Sequence, residues 1–413
     1  MTTLFLVVFV DLIGFGMIIP ILPFYAERLG ISSSLIIFLF GLYSLGQLIG
    51  SPIWGAISDR TGRRPILLAT LAANALANIL LAHAINGWEL GASRLISGLA
   101  AGNISIAYAY LTDITDDSTR PKALGFLGAA FGLGFILGPA LGGLLAGGSS
   151  GALNISLVAY VAAALSATAF VATWLFLPES HGAAHRAAAK ERPRGQQWAL
   201  LSRPVLRDLL VSTIMVTGAA SMLQSTYAMW SANTMHIAPR TLGWFYAFVG
   251  VVSVAIQAGG IGPLNRRFGA LKLARAGGLL VAVSLALMPL APAAIWTLGP
   301  LAVFAVGSAC FTPSISALVT NTAAATERGS VMGIFQGAAS LGRVMGPMIA
   351  SGIAAVSGLR LPFFVGAGIT TVGALLVRVR DAEGGVAQGD TTSMSDADMR
   401  RAAEEAAPVG EMY

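Results

Sequence analysis

Three ionisable side chains stand where charge is expensive: Asp11, Arg94 and Arg343 all lie inside apolar runs. A charged group in hydrocarbon surroundings is retained when it is paired, protonatable or in contact with water, and it marks function by default. Asp11 can therefore carry a proton; the competing reading is a carboxylate near a helix end that caps the helix or pairs with the loop at 55–65. Arginine stays charged. Arg94 must meet a partner or water and can tune a neighbouring carboxylate, unless it snorkels to the nearer membrane surface. Arg343 can favour anionic or zwitterionic ligands in a cavity, or hold a carboxylate such as Asp11. Hydrogen bonding to carbonyls of a neighbouring helix would account for it equally well.

Residues 55–65 read Gly-Ala-Ile-Ser-Asp-Arg-Thr-Gly-Arg-Arg-Pro. Asp59 is read as ending one helix and Arg60, Arg63 and Arg64 as beginning the next, an arrangement that allows charge-assisted hydrogen bonds between carboxylate and guanidinium. Such a cluster can hold one conformation and release it in another; alternatively the arginines only fix topology and bind lipid headgroups. Neutral polar residues are scattered along otherwise apolar runs: Ser44, Gln47 and Ser51, then Asn103, Tyr108 and Thr112, then Gln224 and Tyr227, Gln257, and Gln336. A wall of amides, aromatics and aliphatics suits amphipathic small molecules, although each of these residues singly can serve as an interhelical hydrogen bond. The four histidines have no metal-ligand partners at useful spacing, and no Gly-x-x-x-x-Gly-Lys-Ser/Thr loop occurs, so neither a metal, a cofactor nor ATP is expected.

The elements that must position these residues are apolar helices. Of 413 residues, 55% are apolar and only 11% charged, against about 25% charged in soluble domains; the mean hydropathy is +0.75. A bilayer is the solvent that accepts such a surface. Twelve stretches reach the ~20 residues a spanning helix needs: roughly 4–25, 35–57, 65–85, 89–112, 122–147, 153–177, 208–231, 241–263, 270–290, 294–320, 329–354 and 360–379. The first is read as a spanning helix and not as a signal peptide. The expectation is an all-α polytopic membrane protein of two six-helix halves, 1–177 and 208–380, with a linker at 178–207 and a disordered polar tail at 381–413.

Charge gives the orientation. With the N-terminus inside, 20 of the 25 Lys and Arg fall in cytoplasmic segments and three in outer loops, so both termini are expected in the cytoplasm. The basic residues sit in short loops and form no stripe, so nucleic acid is not an expected partner. The sole cysteine, Cys310, rules out an intramolecular disulfide. Arg120, Gly125, Gly134, Gly138 and Pro139 recur at Arg328, Gly333, Gly342, Gly346 and Pro347, each 208 residues later, and Gly55 and Gly62 recur at Gly262 and Gly269 after 207. The halves are therefore read as parallel repeats, an arrangement that puts a substrate site between them near the bilayer midplane. In the second copy Arg266 replaces Asp59, so the halves are unequal.

Four strings resemble signatures of the major facilitator superfamily. The 55–65 segment is similar to its loop between spans two and three. Gly134-x-x-x-Gly138-Pro139-x-x-Gly142-Gly143 resembles its antiporter signature, in which Gly134, Gly138 and Gly142 form a flat helix face and Pro139 bends the helix. Asp11-Leu-Ile-Gly-Phe-Gly-Met-Ile-Ile-Pro-Ile-Leu-Pro, with Arg94-x-x-x-Gly98, resembles the twelve-span drug:proton antiporter branch that includes bacterial tetracycline and multidrug exporters. The resemblance spans 4–379. It implies a monomeric exporter of small amphipathic compounds in the inner (plasma) membrane, working with protons and lipids as partners and without enzymatic activity. Asp11 and Arg94 would handle the proton, and Asp59, Arg60, Gly62, Arg63, Arg64, Gly134, Gly138, Pro139 and Gly142 would gate. Tetracycline exporters also carry a carboxylate in span three, a His in span eight and a carboxylate in span nine. Here Asn74, Ala77 and Asn78 occupy the first region, Ser253 the second, and 270–290 has no Asp or Glu, which sets tetracycline itself apart as a substrate. Uptake, a lipid-like substrate, or a non-transporting scaffold or sensor are the other readings.

Overall fold

The computed structural model describes residues 2–115, 119–147, 154–180, 200, 202–323 and 327–377. The expected tail at 381–413 and most of the expected linker, with His181 and His185, lie outside them. Every regular element among the described residues is helical.

The first apolar run divides into α1 (Thr2–Ile18) and α2 (Leu22–Arg28) with a 43° bend. Pro23 sits in the first turn of α2, where its missing N–H is not needed. Then come α3 (Ser33–Thr61) and α4 (Arg63–His83), separated by Gly62 alone at φ +115°, a conformation that disfavours other residues. The expected span 89–112 is not continuous. It forms α5 (Gly87–Ala100) and α6 (Asn103–Asp113), broken at Ala101–Gly102. Trp54 fixes the break: its Nε1 donates to Leu99 O at 2.8 Å, and a Cβ on Gly102 would meet its ring at 2.7 Å. Asn86 and Glu89 close a reciprocal cap on α5, Asn86 Oδ1 accepting from Glu89 N at 2.9 Å and the Glu89 carboxylate from Ile85 N at 2.8 Å.

The chain continues through α7 (Arg120–Leu145), α8 (Ile155–Phe176), α9 (Pro204–Met235), α10 (Pro239–Ala255), a π-turn at 256–260, α11 (Ile261–Leu287), α12 (Leu298–Asn321), α13 (Arg328–Ser357) and α14 (Leu361–Leu376). Helix α9 starts at Pro204, inside the segment read as linker. Among the described residues nine helices are long and apolar enough to cross a membrane, ten if α1 and α2 form one span. One of the nine runs from Pro239 to Leu290, 52 residues, more than twice a bilayer's ~30 Å core at 1.5 Å per residue. It breaks at Gly269 (φ 75°, ψ 155°), the repeat partner of Gly62 (φ 115°, ψ 158°).

Small residues set the packing. Helix α1 lies on α7 and α8, α3 on α5 and α13, α9 on α13 and α14, and α7 also on α10. A Cβ on Gly138 would stand 2.8 Å from Gly16 Cα on α1, and one on its repeat partner Gly346 would stand 2.1 Å from Gly218 O on α9. Positions 208 residues apart thus make matching close approaches. Gly142 meets Met17 O at 2.2 Å and Gly98 meets Tyr43 O at 2.1 Å in the same sense, contacts open only to small residues. Large apolar side chains point outward, among them Leu76, Trp88, Trp174, Trp296 and Val356, a distribution suited to lipid.

Candidate functional site

Helices α1, α3, α4, α5, α6, α7, α9 and α13 enclose a cavity of ≈ 430 Å³. Asp11, Gln47, Arg94, Asn103, Tyr108, Gln224, Gln336 and Arg343 all line it, so the structure gathers most of the expected proton-handling and substrate-contacting residues in one place. Ser44 and Asn74 join them. Four expected residues do not: Ser51, Thr112, whose hydroxyl is turned back to Ala109 O at 2.7 Å, Tyr227 and Gln257. Tyr227 is fully buried in a cluster with Trp230 and Phe363, its hydroxyl 2.8 Å from Thr297 Oγ1. Gln257 sits in the π-turn at 256–260 and is exposed; a π-turn changes the residues per turn, so regular helical spacing misplaces its side chain.

Asp11 is buried, 7% exposed, and its carboxylate is held from three elements. Asn103 Nδ2 on α6 donates to Oδ2 at 2.6 Å; Asn74 Nδ2 on α4 and Ser166 Oγ on α8 donate to Oδ1 at 3.0 and 3.3 Å. All three donors are neutral, and none belongs to the 55–65 loop. Asp11 therefore sits among amides, without a cation against it. Arg94, about two turns before the α5 break, is 4% exposed and turned inward, so it does not reach the helix end. Arg343 also lines the cavity, and its Nη2 donates to Ser340 Oγ at 2.8 Å. Tyr43 lines the same cavity as Asp11, Arg94 and Arg343. Aromatic rings complete the wall: Phe15 lies 4.8 Å from Tyr43 and 6.1 Å from Phe135, and Tyr108 stacks on Phe131 at 6.1 Å.

A second cluster forms at the far end of α3. Arg63 Nη1 meets Asp59 Oδ1 at 2.5 Å and donates to Ser58 Oγ at 2.7 Å, while its Nε meets Asp113 Oδ2 on α6 at 3.0 Å. Glu179, just past α8, accepts from the backbone N–H of Arg63 and Arg64 at 2.8 and 3.2 Å. It thereby satisfies free donors at the start of α4, where the helix dipole also favours an anion. A Cβ at Gly62 would stand 2.5 Å from this carboxylate, so Gly62 is required by contact as well as by backbone angle. Flanking bonds tie the same segment down: Tyr110 OH donates to Pro178 O at 2.8 Å, Ser180 Oγ donates to Asp113 Oδ2 at 3.2 Å, and Arg64 Nη2 donates to Trp174 O. Arg60 lies in the last turn of α3, not in the following helix, and is exposed. Asp113 and Glu179 are absent from the sequence-based set. Both are acidic residues at the ends of apolar runs, which is a weak signal, and nothing in their spacing brings them to Arg63.

At the opposite end of α3, distant segments meet. Asn233 Nδ2 on α9 donates to Ser33 Oγ at 3.2 Å, and Ser351 Oγ on α13 donates to Ser34 O at 2.8 Å.

Residues 4–260 and 209–397 match the family profile described as Major Facilitator Superfamily. "Tetracycline resistance protein, class C" of Escherichia coli is 27% identical over 353 residues, covering 84% of this chain and 87% of that protein. "Multidrug resistance protein 2" of Bacillus subtilis (strain 168) is 26% identical over 381 residues, covering 90% and 92%. Among solved structures, that of the human organic anion transporter MFSD10 (TETRAN) covers 91% of this chain and 98% of that one with a TM-score of 0.67 at 22% identity, a likeness of fold.

Proposed function

The chain belongs to the Major Facilitator Superfamily, as a multi-pass membrane protein, and from that premise we propose that it exports small amphipathic compounds in exchange for protons by alternating access. The transporter crosses the bilayer twelve times as two six-helix halves, 1–177 and 208–380. It works as a monomer in the inner membrane with both termini in the cytoplasm, and catalyses no covalent reaction. The curated relatives named for tetracycline and multidrug resistance support export.

The observation that carries proton exchange is Asp11. It is the one carboxylate on the described cavity wall, and it is fixed by neutral donors alone. A carboxylate so held can be charged or protonated without breaking an ion pair, and its charge is felt by whatever occupies the cavity. Arg94, in the same compartment, biases that balance. The Asp59–Arg63–Asp113 cluster and Glu179 act as the gate at one end: they hold α3, α4, α6 and the end of α8 together in this conformation and must separate or shift in the other. The Ser33–Asn233 and Ser34–Ser351 contacts close the opposite end. The charge bias places the Asp59 end in the cytoplasm.

The test is efflux from proteoliposomes under an imposed pH gradient. Gradient-driven movement of a dye or antibiotic from a panel is expected. Substrate flux indifferent to the gradient would overturn proton coupling, and flux of the opposite direction in inverted and right-side-out vesicles would overturn export.

A further inference from the structure

The cavity carries more positive charge than negative. Arg94 and Arg343 line it, against the single carboxylate of Asp11. The Nε and Nη2 of Arg94 have no hydrogen-bond partner among the described residues. Arg343 has Ser340. Among the described residues neither guanidinium makes an ion pair. Asp11 does not fill that role, because its oxygens are taken up by Asn74, Asn103 and Ser166. Yet the charges share one compartment, since Asp11 and both arginines line the same cavity.

A buried cation lacking a counter-charge is costly, and a guanidinium cannot shed its proton to escape. Its planar fork matches a carboxylate, and one charge-assisted hydrogen bond is worth ~1.5–3 kcal/mol. On the same cavity wall stand Phe15 and the half-exposed ring of Phe135, 6.1 Å apart edge to face. We infer that the substrates of this transporter carry an acidic group, which docks on Arg94 with Arg343 beside it, and an aromatic body that packs against Phe15 and Phe135. The ≈ 430 Å³ of the cavity accommodates a drug-sized molecule of that kind. The inference rests on the reading of this cavity as the transport site.

It also constrains the coupling. The charged and titratable groups on the cavity wall are Asp11 on α1, Tyr43 on α3, Arg94 on α5, Tyr108 on α6 and Arg343 on α13. An anion beside the arginines favours a protonated Asp11, and protonation favours the anion by the same free energy. Coupling of that sign carries proton and anion together. Exchange against protons therefore calls for a substrate that brings a cationic group to Asp11 as well, which makes it a zwitterion.

The test uses the purified full-length protein and thermal stabilisation by a matched panel: aryl-piperazinyl carboxylic acids, their N-acylated monoanions and their methyl esters. Both carboxylate series are expected to bind at least about tenfold more tightly than the esters, the effect of one charge-assisted hydrogen bond. Arg94→Gln should remove that advantage and leave ester affinity unchanged. Arg343→Gln serves as an independent variant should Arg94→Gln melt too low to assay. Esters that bind as tightly as their acids, carboxylate affinity unchanged in both arginine variants, or a panel in which no carboxylate binds would each overturn the acidic anchor. The pH arm addresses coupling separately. Zwitterion affinity that rises with pH supports both the anchor and exchange. Monoanions that bind more tightly at low pH and move with protons support the anchor and overturn antiport. Proton-driven efflux of esters alone sustains antiport and overturns the anchor.

Discussion

Asn103 donates to Asp11 across 2.6 Å, and Asn103 is the first residue of α6, immediately after the break at Ala101–Gly102. The interruption of that span and the position of the buried carboxylate are therefore one structural fact. Trp54 holds the break open by bonding Leu99 O, so three helices, α3, α5 and α6, converge on the orientation of a side chain carried by α1. Removing the Asn103 amide leaves Asp11 with Asn74 and Ser166 only. Asn103→Ala should lower gradient-driven flux by about tenfold or more, the worth of one hydrogen bond to a charged group, with normal insertion and expression. Flux equal to wild type in that variant would take Asn103 out of the proton site.

Asp11→Asn keeps the shape of the carboxylate and one acceptor oxygen, for either Asn103 or Asn74, and removes the titratable group. Transport driven by a pH gradient should fall to the level of protein-free liposomes, while expression and ligand-induced thermal stabilisation persist. Normal gradient-driven transport by this variant would mean that the proton passes elsewhere.

Much of the architecture is legible in the sequence, because a bilayer leaves few choices. Runs of apolar residues must be helices, and strings such as Gly134–Gly142 must be contact faces. The cavity wall is also legible where polar residues interrupt apolar runs, as at Asp11, Gln47 and Arg343. What fails is whatever depends on an irregular turn. Gln257 is misplaced by a π-turn that no composition announces, and the α5–α6 break owes its position to Trp54, some 45 residues away in the chain. Tyr227 fails for another reason: its ring finds an apolar cluster and a buried hydroxyl partner, Thr297, more than one helix distant. Asp113 and Glu179 are invisible because their significance lies in proximity to Arg63, and spacing in sequence carries no record of it.

The gate gives a prediction that separates motion from binding. Asp59 is half exposed, so its pair with Arg63 adds little to stability; its value lies in which conformation it favours. Asp59→Asn and Glu179→Gln should both slow turnover, with little change in ligand affinity, because neither residue lines the cavity and both hold elements that a gating step must move. Glu179→Gln tests the newly found partner: a glutamine carbonyl still accepts from one N–H of Arg63 or Arg64, but loses the anion at the helix start. Stopped-flow substrate release against equilibrium binding distinguishes the cases. A large affinity loss with normal turnover would contradict a gating role.

The opposite end can be locked. Ser33 Oγ and Asn233 Nδ2 lie 3.2 Å apart, joining α3 to α9, and the sole native cysteine, Cys310, is buried. The double variant Ser33→Cys, Asn233→Cys should form a disulfide under mild oxidation. If this contact closes one face of the cavity, the bridge traps the protein open to the Asp59 end alone, because alternating access requires the two ends to open in turn. Transport should stop on oxidation and return on reduction, while ligand added from the Asp59 side still binds. Continued transport with the bridge quantitatively formed would show that α3 and α9 stay together throughout the cycle, and the gate would then have to be sought at Ser34 and Ser351, which join α3 to α13 at the same end.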